Sequence, residues 1–157
     1  MKKLLAKIWK ILHLPKDAQL FVMRFFQDQF LVGITGIILN EKEEILLFKH
    51  TYRPHAWSLP GGYLKSGEHP QEALEREIQE ESGLVVSVDQ SLKIRTDRKT
   101  ARLDLCYTGV LIGGDFIPTH EVSEYGFFSQ DKLPLLRTNQ IFLIDEVLKS
   151  TTKKSHL

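Results

Sequence analysis

Between Gly62 and Leu84 the chain carries six glutamates and a single arginine, and three of the glutamates, Glu77, Glu80 and Glu81, stand at i, i+3 and i+4. On a helix turning 100° per residue these three fall within one arc of about 100°. Leu74 and Ile78 lie beside the arc and are expected to face the core; Glu72, Glu75 and Gln79 are expected on the solvent side. Like charges at this spacing destabilise a helix by a few tenths of a kcal/mol per pair, roughly, and by more where water is excluded. Arg76, at the margin of the arc, supplies one positive charge. A divalent cation supplies two and takes hard carboxylate oxygens in number, which suits Mg²⁺ or Mn²⁺. A solvated acidic helix is the competing reading, and the helix alone does not separate the two. The residues before it weigh toward a ligand. Gly61 and Gly62 let the backbone turn tightly and come close to a bound molecule, and Glu68 stands where it could fold back toward the same cluster. Such a loop and helix suit a phosphate substrate: the metal neutralises oxygens and activates water while the loop positions the chain.

Positioning these groups requires a helix over roughly Pro70 to Ser82. Proline suits its first turn, and Gly83 suits the left-handed residue after its end, although His69 is a poor cap. Phe30 to Asn40 is rich in β-branched residues and reads as a strand, Glu41 to Glu44 as a turn, and Ile45 to His50 as the returning hairpin partner. Thr51 to Gly67 reads as a long loop, a length usually associated with function. Leu84 to Val88, Leu103 to Ile112 and Glu124 to Ser129 read as further strands. Thr138 can cap a last helix over Asn139 to Lys149, with Ile141, Ile144 and Leu148 inward. Phe21 to Phe26 is open between strand and short helix. Strands and helices interleave, which predicts an α/β protein with a sheet covered by helices on both sides.

The same residues resemble the Nudix hydrolase signature, G-x5-E-x7-R-E-U-x-E-E-x-G-U, where U is bulky and aliphatic. Gly62, Glu68, Arg76, Glu77, Ile78, Glu80, Glu81, Gly83 and Leu84 fill it at the right spacing, and the flanks "WSLPGG" and "EVSEYGFFSQDKLP" look similar too. The resemblance covers roughly Phe30 to Lys149. It implies an α/β/α sandwich around a mixed β-sheet and hydrolysis of a nucleoside diphosphate linked to another group, by water attack on phosphorus. It implies that Glu77, Glu80 and Glu81 bind the divalent cation, that Glu68 joins them, and that Arg76 orients a glutamate. Glu80 or Glu77 could deprotonate the water; Glu121 and Glu124 are the alternatives, with a plain surface loop as the competing reading for both. Gly61, Gly62 and Arg53 are the candidate substrate contacts, and Tyr52 or Trp57 could stack on a base or belong to the core.

Composition bounds the remaining choices. The length of 157 residues fits one domain with a sizeable core, and a net charge of +1 provides no field to recruit nucleic acid. One cysteine, Cys106, excludes an internal disulfide and suits a cytoplasmic location. The chain divides into an amphipathic N-terminal segment over residues 1–20, a catalytic domain over 21–150 and a polar tail over 151–157. In the N-terminal segment Leu4, Leu5, Ile8, Trp9, Ile11 and Leu12 share one face and Lys3, Lys7 and Lys10 the other, with Pro15 ending the helix. That face is expected to pack on its own domain or on a second subunit, as in a homodimer; the alternative is contact with an anionic membrane surface through residues 2–14. Lys93, Arg95, Arg98, Lys99 and Arg102 could hold a phosphate or form a solvated hairpin. His50, His55 and His69 lack metal-ligand spacing and read as incidental. Two other functions fit less well: a nucleotide sensor without hydrolysis, which an intact signature disfavours, and a prenyl diphosphate isomerase, for which Cys106 has no recognisable setting.

Overall fold

The structure, a computed structural model, describes residues 15–53, 56–97 and 100–154. The helix expected over Met1 to Leu14 lies outside the described residues. Pro15 stands at the start of a helix, α1 (Lys16–Phe26), which absorbs the segment that was open between strand and helix. The described residues up to Phe30 belong to one unit and those from Leu31 onward to another.

The unit from Leu31 onward is a mixed sheet with a helix on each face. Its strands are β1 (Leu31–Leu39), β2 (Ile45–His50), β3 (Trp57–Ser58), β4 (Gly61–Tyr63), β5 (Leu84–Asp97), β6 (Arg102–Gly114) and β7 (Val122–Phe128); its helices are α2 (Pro70–Ser82) and α3 (Thr138–Lys154). β1 is central and runs parallel to β6 along its whole length, from Leu31 beside Arg102 to Leu39 beside Val110. The expected hairpin of β1 and β2 exists only at its root, where Leu39 pairs with Ile45. Beyond it the strands part. β2 goes on with β3 and β7, and the far half of β1 takes β4 as its neighbour. The long loop expected over Thr51 to Gly67 therefore contains two short strands; the sheet captures its backbone because β1 has a free edge that must be hydrogen-bonded.

The β1 residues alternate between two cores, as the period of a strand requires. Ile34 and Ile38 pack with Leu74 and Ile78 of α2, and Ile37 packs with Leu143, Ile144 and Val147 of α3. Fully burying each such side chain is worth roughly 1.5–3 kcal/mol, so the two helices are held by their apolar stripes. Two of the three residues expected inward on α3 are there: Ile144 is buried and Leu148 packs against the same core. Ile141 is 39% exposed, and its place in the core is taken by Leu143 and Val147, which pack with Ile144 against Ile37. The helix also continues through Lys154, into the segment 151–157 that reads as a polar tail. The start of α2 is better secured than His69 suggested: the Glu72 carboxylate accepts the His69 backbone N–H at 3.4 Å, the return arm of a capping box. At its other end Gly83 adopts φ 75°, where a side chain would be strained.

Candidate active site

α2 presents Glu77, Glu80 and Glu81 beside the loop that carries Gly61, Gly62 and Glu68. Arg76 is the hub of this cluster rather than a marginal charge. Its Nε donates to Glu68 Oε1 at 2.6 Å, its Nη1 to Glu80 Oε2 at 2.9 Å, and its Nη2 lies 2.9 Å from Glu77 Oε1. The same guanidinium reaches Glu68 Oε2 at 3.1 Å and the Tyr63 carbonyl at 3.4 Å. One planar fork thus gathers three carboxylates from the loop and the helix. The pairing with Arg76 holds the Glu68 carboxyl below the usual carboxylate range, helped by the Lys65 backbone N–H, and the three carboxylates hold Arg76 firmly protonated.

Glu81 has no share in that fork. Its Oε2 is buried and has no hydrogen-bond partner among the described residues. Burial raises its pKa to about 7, and the negative charges of Glu121, Glu77 and Glu80 add to the effect while Arg53 opposes it. The loop bearing Glu121 is tied to the end of α2 by Thr119 Oγ1, which donates to the Glu81 carbonyl, and by Ile117 N–H, which donates to the Ser82 carbonyl. This brings Glu121, 40 positions along the chain from Glu81, near enough for its charge to act on it. Glu124 is engaged elsewhere: it pairs with Lys49 at 2.7 Å across β2 and β7.

Among the described residues no three acidic, histidine or cysteine side chains form a ready-made metal cage, and Arg76 is paired with Glu68, Glu77 and Glu80. The donor set nevertheless fits a hard divalent cation. An orphaned, buried carboxylate oxygen on Glu81, adjacent to the half-buried Glu77 and the exposed Glu80, is the kind of group such an ion satisfies.

Gly62 joins this cluster to a cavity. A Cβ at Gly62 would collide with the Glu77 carboxyl group, so glycine lets the backbone lie against the carboxylate. A Cβ at Gly61 would instead strike the Ile34 carbonyl of β1. Both glycines line a cavity of about 640 Å³, on the α3 side of the sheet, with Arg53, Tyr52, Tyr63, Arg95, Arg102, Asp104 and the start of α3 in its walls. Arg53 donates to Ser58 Oγ at 3.1 Å and to the Tyr52 hydroxyl at 3.3 Å. Trp57 packs instead against Phe128, edge to face, in the α3-side core.

Three features had no local signal in the sequence. Glu75 does not point idly to solvent: its Oε1 accepts the Val88 backbone N–H of β5 at 2.9 Å. His50 is not incidental: it is buried, neither ring nitrogen has a partner among the described residues, and burial with the nearby Arg53 and Arg137 lowers its pKa to about 4. Arg137 reaches the cavity from just before α3. The free thiol of Cys106 is buried and pushed up to about 11, which leaves it protonated and unsuited to acid–base work near neutrality.

The geometry matches what comparison with known proteins shows. The NUDIX domain family model covers residues 29–148, and the chain belongs to the Nudix family of pyrophosphohydrolases. It is 30% identical over 124 residues to an ADP-ribose pyrophosphatase of Methanocaldococcus jannaschii, covering 75% of this chain and 73% of that protein. Among solved structures, an ADP-ribose pyrophosphatase from Streptococcus suis superposes with a TM-score of 0.63 at 28% identity, covering 73% of this chain and 89% of that one. A UDP-X diphosphatase superposes with a TM-score of 0.69 at 23% identity, covering 96% and 81%, which bears on the fold.

Proposed function

We propose that this protein is a divalent-metal-dependent hydrolase that cleaves the pyrophosphate bond of a nucleoside diphosphate linked to a second group. The observation that carries the reading is the junction at Gly62: one backbone step separates the carboxylate cluster of α2 from a cavity large enough for a nucleotide derivative. Relatives named as ADP-ribose pyrophosphatases support the substrate class.

Glu77, Glu80 and Glu81 would hold Mg²⁺ or Mn²⁺, with Glu68 able to join them. The ion, when bound, neutralises phosphate oxygens and makes water more acidic. Arg76 acts through the carboxylates, keeping Glu68, Glu77 and Glu80 together before any ion arrives. Glu80, with side-chain exposure of 56%, is the member of the cluster best placed to take a proton from an entering water. Glu121 is the second candidate, since its charge acts on Glu81. Arg53, held by Ser58 and Tyr52, lines the cavity that would receive the substrate. A buried, protonated Cys106 suits a reducing cytoplasm.

The test is a panel of nucleoside diphosphate derivatives assayed for monophosphate release with Mg²⁺, with Mn²⁺ and with excess chelator. Release that requires the ion supports the reading, and full turnover in chelator overturns it. Binding without turnover of any compound would instead support a sensor module.

A further inference from the structure

The cavity beside Gly62 carries more positive charge than a diphosphate held by a metal cluster requires. Four arginines, Arg53, Arg95, Arg102 and Arg137, stand in its walls, against one carboxylate, Asp104. Asp104 is already paired with Arg102, whose guanidinium also lies over the Tyr63 ring at 5.1 Å and donates to its hydroxyl at 3.2 Å. Arg53, Arg95 and Arg137 make no ion pair among the described residues. Two of them are nonetheless pre-oriented: Arg53 by Ser58 and Tyr52, and Arg95 by the Asn139 carbonyl at 3.0 Å, a bond from β5 to the first turn of α3. The run of basic residues on β5 and β6 is thereby divided. Lys93 lies on the surface and is neutralised by Glu146 at 2.7 Å, whereas Arg95 and Arg102 belong to the cavity.

Guanidinium groups that make no ion pair, two of them held in place, over a lining that includes Leu59 and Leu143, favour an anion entering between them. A planar fork with parallel N–H donors matches phosphate oxygens in particular. A neutral sugar in the same space would leave all three charges uncompensated.

We infer that the cavity selects substrates carrying a phosphate beyond the scissile diphosphate, with Arg95 and Arg137 as the specificity-determining residues. The inference rests on the hydrolase reading above for the placement of the scissile bond. The additional phosphate has two sources with the same chemistry: a monoester on one of the two moieties, or further phosphates in the chain that joins them.

The experiment compares steady-state constants for ADP-ribose, for ADP-ribose 2′-phosphate and for diadenosine tetraphosphate, in the wild type and in Arg95→Gln, Arg137→Gln and Lys93→Gln. One charge-assisted phosphate contact corresponds to roughly a tenfold or larger gain in affinity. At least one phosphorylated compound should therefore show a KM about tenfold below that of ADP-ribose, and which one identifies the source. Each arginine variant should erase most of that difference, raising the KM for the phosphorylated compound by a larger factor than the KM for ADP-ribose. Lys93→Gln should preserve it, and Arg95→Lys should restore part of it. Equal KM values in the wild type overturn the inference without recourse to any variant, as do arginine variants that raise every KM alike. If no compound is turned over, calorimetry with the same three compounds in Mg²⁺ decides separately. Tighter, arginine-dependent binding of a phosphorylated compound supports the inference and withdraws the hydrolase reading; equal binding overturns the inference.

Discussion

Arg76 grips Glu68 at two points, Nε to Oε1 at 2.6 Å and Nη2 to Oε2 at 3.1 Å, and so fastens the loop before α2 to the helix itself. The remaining reach of the same guanidinium holds Glu77 and Glu80. Lysine keeps the charge but not the fork. Arg76→Lys should therefore fold normally yet lower kcat by roughly ten- to a hundredfold, the range for residues that orient metal ligands. Steady-state kinetics over a Mg²⁺ titration check this, and the variant should also require more Mg²⁺ for half-maximal rate. An unchanged kcat would show that the fork is dispensable.

Glu80→Gln keeps shape and removes charge from the cluster. Its kcat should fall by two orders of magnitude or more, roughly the cost of losing a proton acceptor, with the melting temperature preserved. Glu75→Gln should leave kcat close to wild type. Glu75→Ala removes the acceptor of the Val88 N–H and should destabilise the fold by about 1–3 kcal/mol in urea unfolding. Equal kinetic effects at positions 75 and 80 would contradict the orientation of α2.

The two adjacent glycines should fail differently. In Gly62→Ala the new methyl group meets the end of a flexible glutamate, so the protein should fold and lose activity as Glu77 is displaced. In Gly61→Ala it meets the backbone carbonyl of Ile34, so the pairing of β4 with β1 should suffer and the melting temperature should drop. Thermal melts and kcat measured side by side separate the outcomes; a stable, fully active Gly62→Ala variant would refute the close approach.

His50 gives a pH dependence of stability with a definite sign. Its pKa is about 4 when folded and 6.5 in an unfolded chain. Above pH 6.5 it is neutral in both states and contributes no slope. As pH falls from 6.5 toward 4 the unfolded chain takes up a proton that the folded protein refuses, so stability declines by roughly 1.4 kcal/mol per pH unit from this residue. His50→Phe retains an aromatic ring beside Tyr52 and should flatten that decline. Urea unfolding of both proteins across this window tests it, and identical slopes would show that His50 does not stay neutral.

The residues of the carboxylate cluster were legible without a structure because their relation is local. The spacing of Glu77, Glu80 and Glu81 puts them on one face of any helix, Leu74 and Ile78 decide which side of that helix is buried, and Gly83 marks where it stops. The mixed sheet with a helix on each side followed from the alternation of apolar strands and helical stripes. What only the tertiary structure decided depends on contacts between residues far apart in the chain. Glu75 reads as solvent-facing until β5 brings the Val88 N–H against it, and His50 reads as incidental until the sheet closes over it. Arg76 became the hub because β4 pairs with β1 and carries Tyr63 and the following loop back over α2. The basic run on β5 and β6 could not be divided by inspection, since Lys93 and Arg95 have the same charge and neighbouring positions. Bulges in β5 and the docking of α3 send Lys93 to Glu146 and Arg95 to the cavity, and no one-dimensional pattern encodes which wall a side chain will meet.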